Sequence, residues 1–369
     1  MKINNNELQL ALKIISKLKD NKSKNQFSET FESVKVNSFN ELYTTITKTN
    51  MQEKINYFVY NSNYTPESFI IPANTIKSLK TIQESEVCIT DNQIISGTKT
   101  INYTQILSKN YPTINTNNFY FEIPENELLK MLEVNYCVDG NHKNPIFNGV
   151  CFENNNVYGC NGFRISVREG SFENNTNFII TKDFAILLQK VCNKKSTSLV
   201  RVYGELTNAS ENKNKNQKIK FIFENFEVIG DNIPEQYLNV KNLISKEQKY
   251  NITVNVNDIL NNVKSIKNGV LQMNTIDNYK LSLSIYNTLI LNNDNLVSKD
   301  LIPCDYNLND FKIACNISYI NELLSFYKNK QITIENNGKI DPIVIKDVHE
   351  KQNNYEMMLP IRINHMEED

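Results

Sequence analysis

At 369 residues the chain is longer than one ordinary domain, so two or three domains are expected. With 40 basic against 41 acidic residues, its charge balance excludes a surface that is basic throughout and grips nucleic acid everywhere. Seven scattered cysteines, none in a CxxC pair, fit free thiols in a reducing, cytoplasmic setting better than a disulfide framework or a zinc site.

In chain order, the first predicted element is an amphipathic helix. Leu8, Ala11, Leu12, Ile15 and Leu18 fall on one face, and Gln9, Lys13, Ser16 and Lys17 on the other. No leader segment is expected, because Lys2–Asn6 runs straight into this helix. No apolar run reaches membrane-spanning length. The helix start recurs: Asn6-Glu7-Leu8, Asn126-Glu127-Leu128 and Asn257-Asp258-Ile259 each follow a short strand and a polar break. The Asn is expected to cap the helix, with the acid beside the positive end of its dipole.

A second pattern recurs further into each third. "FIIPANTIKSLK" (69–80), "FIITKDFAILLQK" (178–190) and "FKIACNISYINELL" (311–324) all run an apolar strand into a helix. In the fifth helix, Val256, Ile259, Leu260, Val263 and Ile266 oppose Asn257, Asn261 and Lys264. Between helices the alternation has period two, as in "QKIKFIFENFEV" (217–228) and "YKLSLSIYNTLIL" (279–291), with turns at "ENNN" (153–156) and "NASENKNKNQK" (208–218). These features predict an α+β chain of three repeats, each with two helices packed on antiparallel sheet. Boundaries are expected in the polar stretches 108–118 and 239–249, giving domains 1–115, 116–245 and 246–369.

No nucleophile elbow, phosphate loop or HExxH pattern occurs, and the chain has only three histidines, His142, His349 and His365. Cys151 or Cys160 with a remote His would be the rival thiol-enzyme site, but buried inert cysteines are far commoner. No catalysis, cofactor or metal is expected.

Several stretches resemble the bacterial β sliding clamp family, the processivity ring of the replicative DNA polymerase (DNA polymerase III subunit beta). "FNGVCFENNNVYGCNGFRISV" (147–167) is similar to that family's central-domain motif, in which an Asn-Gly strand leads to Thr-Asp-Gly-His-Arg-Leu. "NISYINELLSFYKNKQITI" (316–334) resembles its last helix with Asn-x-x-Tyr, and "DPIVIKD" (341–347) and "MLPIRI" (358–363) resemble its two closing strands. The resemblance covers the whole chain in order. Cys160, Asn161 and Phe163 replace the family's Thr, Asp and His, while Gly162 and Arg164 are kept. The family's Pro-Ile-Leu after the first helix is missing from "NQFSETFESV" (25–34), and helix five ends early at Asn268-Gly269. A divergent member, of the kind a phage or plasmid carries, is implied.

The resemblance implies three sliding-clamp domains and a head-to-tail homodimeric ring around double-stranded DNA, bound without sequence specificity. Lys13, Lys17, Lys22, Lys24, Lys77, Lys80, Lys130, Lys190, Lys194, Lys264, Lys267 and Lys328 would then face the duplex. Lysine suits sliding, since it is a hydrated point charge that attracts phosphate without a bidentate lock. Without the resemblance, these are ordinary solvated helix faces.

A groove for linear peptides from the polymerase, the ATP-dependent clamp loader and repair proteins is implied between the second and third domains. Its second-domain side is Phe147, Cys160, Gly162, Phe163, Arg164 and Ile165, with Pro234 below. The other side is Asn316, Tyr319, Ile340 and Pro342, closed by Leu359, Pro360, Ile361, Arg362 and Ile363. Phe147, Ile165 and Ile361 are expected as apolar walls and Arg164 and Arg362 as the rim. Pro360, with no N–H, should end strand pairing there. The rival function is a clamp-like regulator that binds such peptides without forming a ring.

Overall fold

The computed structural model describes residues 1–19, 32–38, 40, 42–50, 52–60, 66–104, 118–174, 176–204, 217–243, 248–287, 291, 293–350 and 352–362. Among these, six helices pack on antiparallel sheets, and the chain is α+β. Each helix starts where a strand ends. Lys2–Asn4 leads to α1 (Asn5–Ile15), and Ser68–Ile71 to α2 (Ala73–Leu79). Asn118–Pro124 leads to α3 (Glu125–Met131), and Phe178–Thr181 to α4 (Lys182–Val191). Tyr250–Asn255 leads to α5 (Val256–Val263), and Lys312–Asn316 to α6 (Ile317–Ser325).

The cap positions differ from the expectation. Asn4 and Asn255, each still extended as the last strand residue, accept the N–H groups of Asn6 and Asn257, which already belong to the first turn. Pro124 precedes α3 and makes no side-chain cap. A cap must hold non-helical backbone, and that condition is met at the strand end. The apolar face of α1 is as expected: Leu8, Ala11, Leu12, Ile15 and Leu18 are all buried.

Within each third, a side-chain amide ties the two helices. Gln9 of α1 donates to the carbonyl of Leu79 at the end of α2 (3.0 Å). Gln189 of α4 reaches the carbonyl of Leu132, just past α3 (2.9 Å). Asn321 of α6 reaches those of Val263 and Ile266, at and beyond the end of α5 (3.0 and 3.2 Å). The Leu79 and Val263 carbonyls already accept the N–H groups of Ile82 and Ile266 in the turn beyond each helix, so there the amide is a second donor on an exposed lone pair at the helix end.

The chain divides into two compact units. One comprises Met1–Leu132 and Ser171–Pro234. It holds α1 to α4, a four-stranded sheet and an eight-stranded sheet. In the larger sheet Lys54–Tyr60 pairs with Phe226–Asp231, and the Tyr57 and Phe226 rings stack at 6.2 Å.

The other unit comprises Glu133–Gly170 and the chain from Glu235 onward. Its strands run in the order Gly149–Glu153, Asn156–Cys160, Arg164–Glu169, Tyr355–Met358, Ile343–Asp347, Gln331–Asn336, Tyr250–Asn255, Leu296–Tyr306, Lys280–Tyr286, Val270–Ile276 and Lys312–Asn316. The apolar faces of α5 and α6 pack with these strands into one core that includes Val256, Ile259, Val263, Ile320 and Leu324. The central third of the sequence therefore contributes to both units.

The expected hairpin turn at 153–156 is present, with Asn154 at φ +53°. Residues 205–216, which hold most of the expected 208–218 loop, lie outside the described residues, as do 105–117 and 244–247 in the expected boundaries. The last strand is Tyr355–Met358, so only Met358 of "MLPIRI" belongs to it. It is also an inner strand, paired on one side with Arg164–Glu169 and on the other with Ile343–Asp347. Among the described residues, no helix is long and apolar enough to cross a membrane.

Candidate functional site

The second unit gathers most of the expected groove residues around one tight turn. Between the strands Asn156–Cys160 and Arg164–Glu169, the Asn161 side chain accepts the N–H groups of Phe163 and Arg164 (both 3.1 Å). Gly162 has φ +85°, which a side chain resists, and its N–H reaches the Cys160 sulfur at 3.2 Å. A Cβ there would lie 3.4 Å from the Phe147 ring, so that ring backs directly onto the turn. The turn pushes Phe163 outward, leaving it 58% exposed.

Opposite stands the start of α6. Asn316 caps it by accepting the N–H groups of Ser318 (2.8 Å) and Tyr319 (3.4 Å). The Tyr319 ring lies 6.5 Å from that of Phe163 and 4.5 Å from the Arg164 guanidinium. Arg164 is not on the rim, as expected from the sequence, but 8% exposed. Strand alternation turns it toward Tyr136 and Tyr319, where it donates to Glu322 (2.6 Å) and to the Tyr136 carbonyl (3.3 Å).

Ile165 pairs across the hairpin with Cys160, so the two share the opposite sheet face, and both are buried. Ile165 is thus a core residue and not an open wall. Burial pushes the Cys160 thiol up to about 11, so it stays protonated at neutral pH.

The chain then closes over the turn. Leu359 donates its N–H to the Phe163 carbonyl, and Ile361 to that of Ala314 in the strand before α6 (both 2.8 Å). Pro360, between them, has no N–H to give. The tail is therefore stitched to the turn on one side and to the Lys312–Asn316 strand on the other. Leu359 is exposed and Ile361 half-buried, while Arg362 is exposed.

Ile340 is 67% exposed in the turn before Ile343–Asp347, and the Pro342 carbonyl accepts from Asn336. Neither makes a described contact with the turn at Asn161–Arg164. Pro234 belongs to the first unit, and Ile363 lies outside the described residues.

Beneath this site lies a buried ionic network that sequence reasoning missed. Glu356 has no exposed surface, and its carboxylate accepts from Arg168 (2.7 Å), Tyr136 (2.6 Å) and Tyr327 (3.5 Å). Burial, with the Glu356 charge next, pushes both phenols up, so they remain donors. Glu133 approaches Arg168 at 4.0 Å. Gly159 makes room for this layer, since a Cβ there would sit 2.1 Å from the Val134 carbonyl. The sequence signal was faint: one acid in the otherwise apolar "YEMM" strand, and an Arg two turns of alternation beyond Arg164.

The expected DNA-facing lysines occupy helix ends. Lys13, Lys77, Lys130 and Lys190 lie in last turns and Lys264 at the C-cap, where a cation also suits the negative end of the dipole. All five, with Lys80, Lys194, Lys267 and Lys328, are exposed, and Lys17 is half-buried. Lys264, Lys267 and Lys328 meet in a cleft of about 470 Å³ between α5 and α6. Lys77 and Lys80 line one of about 330 Å³ between α1 and α2. Lys22 and Lys24 lie outside the described residues.

The fold is that of the sliding clamps. The DNA polymerase sliding clamp of Bacillus subtilis superposes with a TM-score of 0.81 at 16% identity, covering 98% of each chain. The DNA polymerase III beta chain of Streptococcus pneumoniae gives 0.78 at 18%, and the subunit beta of Pseudomonas aeruginosa 0.80 at 10%, each over 98% of this chain and 99% of that one. No protein-family model matches the chain, and no curated protein sequence matches it. At such identities the likeness is one of fold.

Proposed function

We propose that the chain is a processivity factor, a sliding clamp that encircles duplex DNA without sequence specificity. It tethers a replicative polymerase, a clamp loader and repair proteins through the groove at Phe163, Tyr319 and Leu359. The observation that carries this is the end-to-end superposition on clamps such as those of Bacillus subtilis and Streptococcus pneumoniae, over 98% of this chain. Three domains, 1–115, 116–245 and 246–369, each contribute one amide-tied helix pair, and two chains close head to tail into a ring.

The groove is supported by its construction: exposed Phe163 and Leu359 beside Tyr319, on a backbone held at fixed places by Asn161 and by the tail's two hydrogen bonds. An extended peptide with apolar anchors suits such a surface. The exposed lysines supply attraction that is weak at each site and blind to sequence, as sliding requires. The chain acts as an accessory subunit and not as an enzyme. Burial keeps Cys160 and Cys151 protonated and poorly nucleophilic.

A second reading, a peptide-binding regulator that forms no ring, is favoured by the short α5, which stops at Val263 ahead of Asn268-Gly269. Mass in solution, with retention on circular DNA before and after linearisation, separates the two. A dimer held on the circle and lost from the linear form is expected. A monomer that binds clamp-interacting peptides but is not retained on circles would replace the first reading with the second.

A further inference from the structure

One element beside the groove is built with more care than a connecting loop needs. Between Asp139 and Asn148 the chain folds back on itself, closed by the N–H of Asp139 on the Phe147 carbonyl (3.1 Å). The Asn148 side chain grips the backbone of His142 twice, accepting its N–H and donating to its carbonyl at 2.8 Å. The Asn144 N–H donates to His142 Nδ1 at 3.0 Å. The imidazole stands edge-on to the Phe147 ring, with centroids 4.9 Å apart. That ring in turn backs onto Gly162. His142 is therefore the outer end of a row of rings and turn that continues through Gly162 and Phe163 to Tyr319.

The hydrogen bond at Nδ1 assigns the tautomer. A neutral imidazole that accepts at Nδ1 carries its proton on Nε2. Among the described residues, no hydrogen bond engages Nε2, and the ring is half-buried. A fixed donor thus stands at the end of an apolar wall, with the exposed Lys143 next to it.

Resting on the peptide-groove reading above, we propose that His142 is a specificity-determining residue of the groove. Its Nε2–H selects peptides that carry a carboxylate or amide oxygen beside the first apolar anchor. A wall of rings binds any apolar residue, whereas a positioned donor discriminates by hydrogen bonding, as buried or half-buried polar groups do.

The test uses fluorescein-labelled six-residue peptides with two apolar anchors, in which Asp, Asn or Ala is moved through each remaining position. Binding to the full chain is followed by fluorescence polarisation. At one position the wild-type protein should prefer Asp and Asn over Ala by up to about tenfold, the range of one hydrogen bond. His142→Phe keeps a ring against Phe147 but removes the donor, and should bring the Asp and Asn peptides to the affinity that the same variant shows for the Ala peptide. His142→Gln can accept from Asn144 and donate outward, and should restore the preference. Binding without any acceptor preference, or a preference that survives in His142→Phe, overturns the proposal and leaves the groove standing. Failure of every peptide to bind any of the three proteins overturns the groove itself, and the proposal with it.

Discussion

Three donors converge on the Glu356 carboxylate, and none of them can be removed without leaving charge in a place water cannot reach. Glu356→Gln keeps the shape but strips Arg168 of its close counterion, leaving only Glu133 at 4.0 Å. Breaking one side of such a buried pair costs about 3–5 kcal/mol, and the lower end is expected here because Glu133 remains. Urea unfolding of the variant should show that loss, and an unchanged midpoint would mean the pair contributes nothing net. This residue was barely legible beforehand. A lone acid in a strand is ordinarily taken to face solvent, and its partner lies far away in the sequence, where no local pattern can point to it. Arg164 was misplaced for a related reason. Alternation says which neighbours share its face, but not that the face is roofed by Tyr136 and Tyr319.

At the scale of elements, the amphipathic helices were the most legible part, since their buried face repeats with the helical period and needs no knowledge of what covers it. Their first residues were not. The run Asn4-Asn5-Asn6 offers an amide at three successive positions, and only the end of strand pairing decides which one caps. The end of the chain was misread because "MLPIRI" is apolar enough to look like a strand throughout, whereas pairing stops at Met358. Two truncations separate strand from tail. A chain ending at Met358 retains the inner strand and should keep its thermal transition while losing affinity for groove peptides. A chain ending at Asn354 removes a strand from between two neighbours and should lose the cooperative unfolding of that unit by circular dichroism. Retained peptide binding in the first truncation would count against Leu359 and Ile361 as parts of the groove.

For the whole molecule, periodicity gave each helix an inner and an outer side but not what the outer side faces, and the lysine assignment rested on resemblance. The cleft shared by Lys264, Lys267 and Lys328 allows a direct check. Changing all three to Glu should shorten retention on circular DNA, most visibly at low salt, and leave peptide affinity unchanged. Equal retention at every salt concentration would turn those helices away from the duplex.

The amide ties between the helix pairs also give each seam a point of chemical vulnerability. Gln9, Gln189 and Asn321 each point an NH₂ group at carbonyls near the end of a partner helix. Slow hydrolysis of such a side chain swaps a donor for a carboxylate beside the negative pole of that helix, so attraction becomes repulsion. Conversion of any one of these amides to the acid would therefore loosen its own inter-helix seam and leave the other two intact.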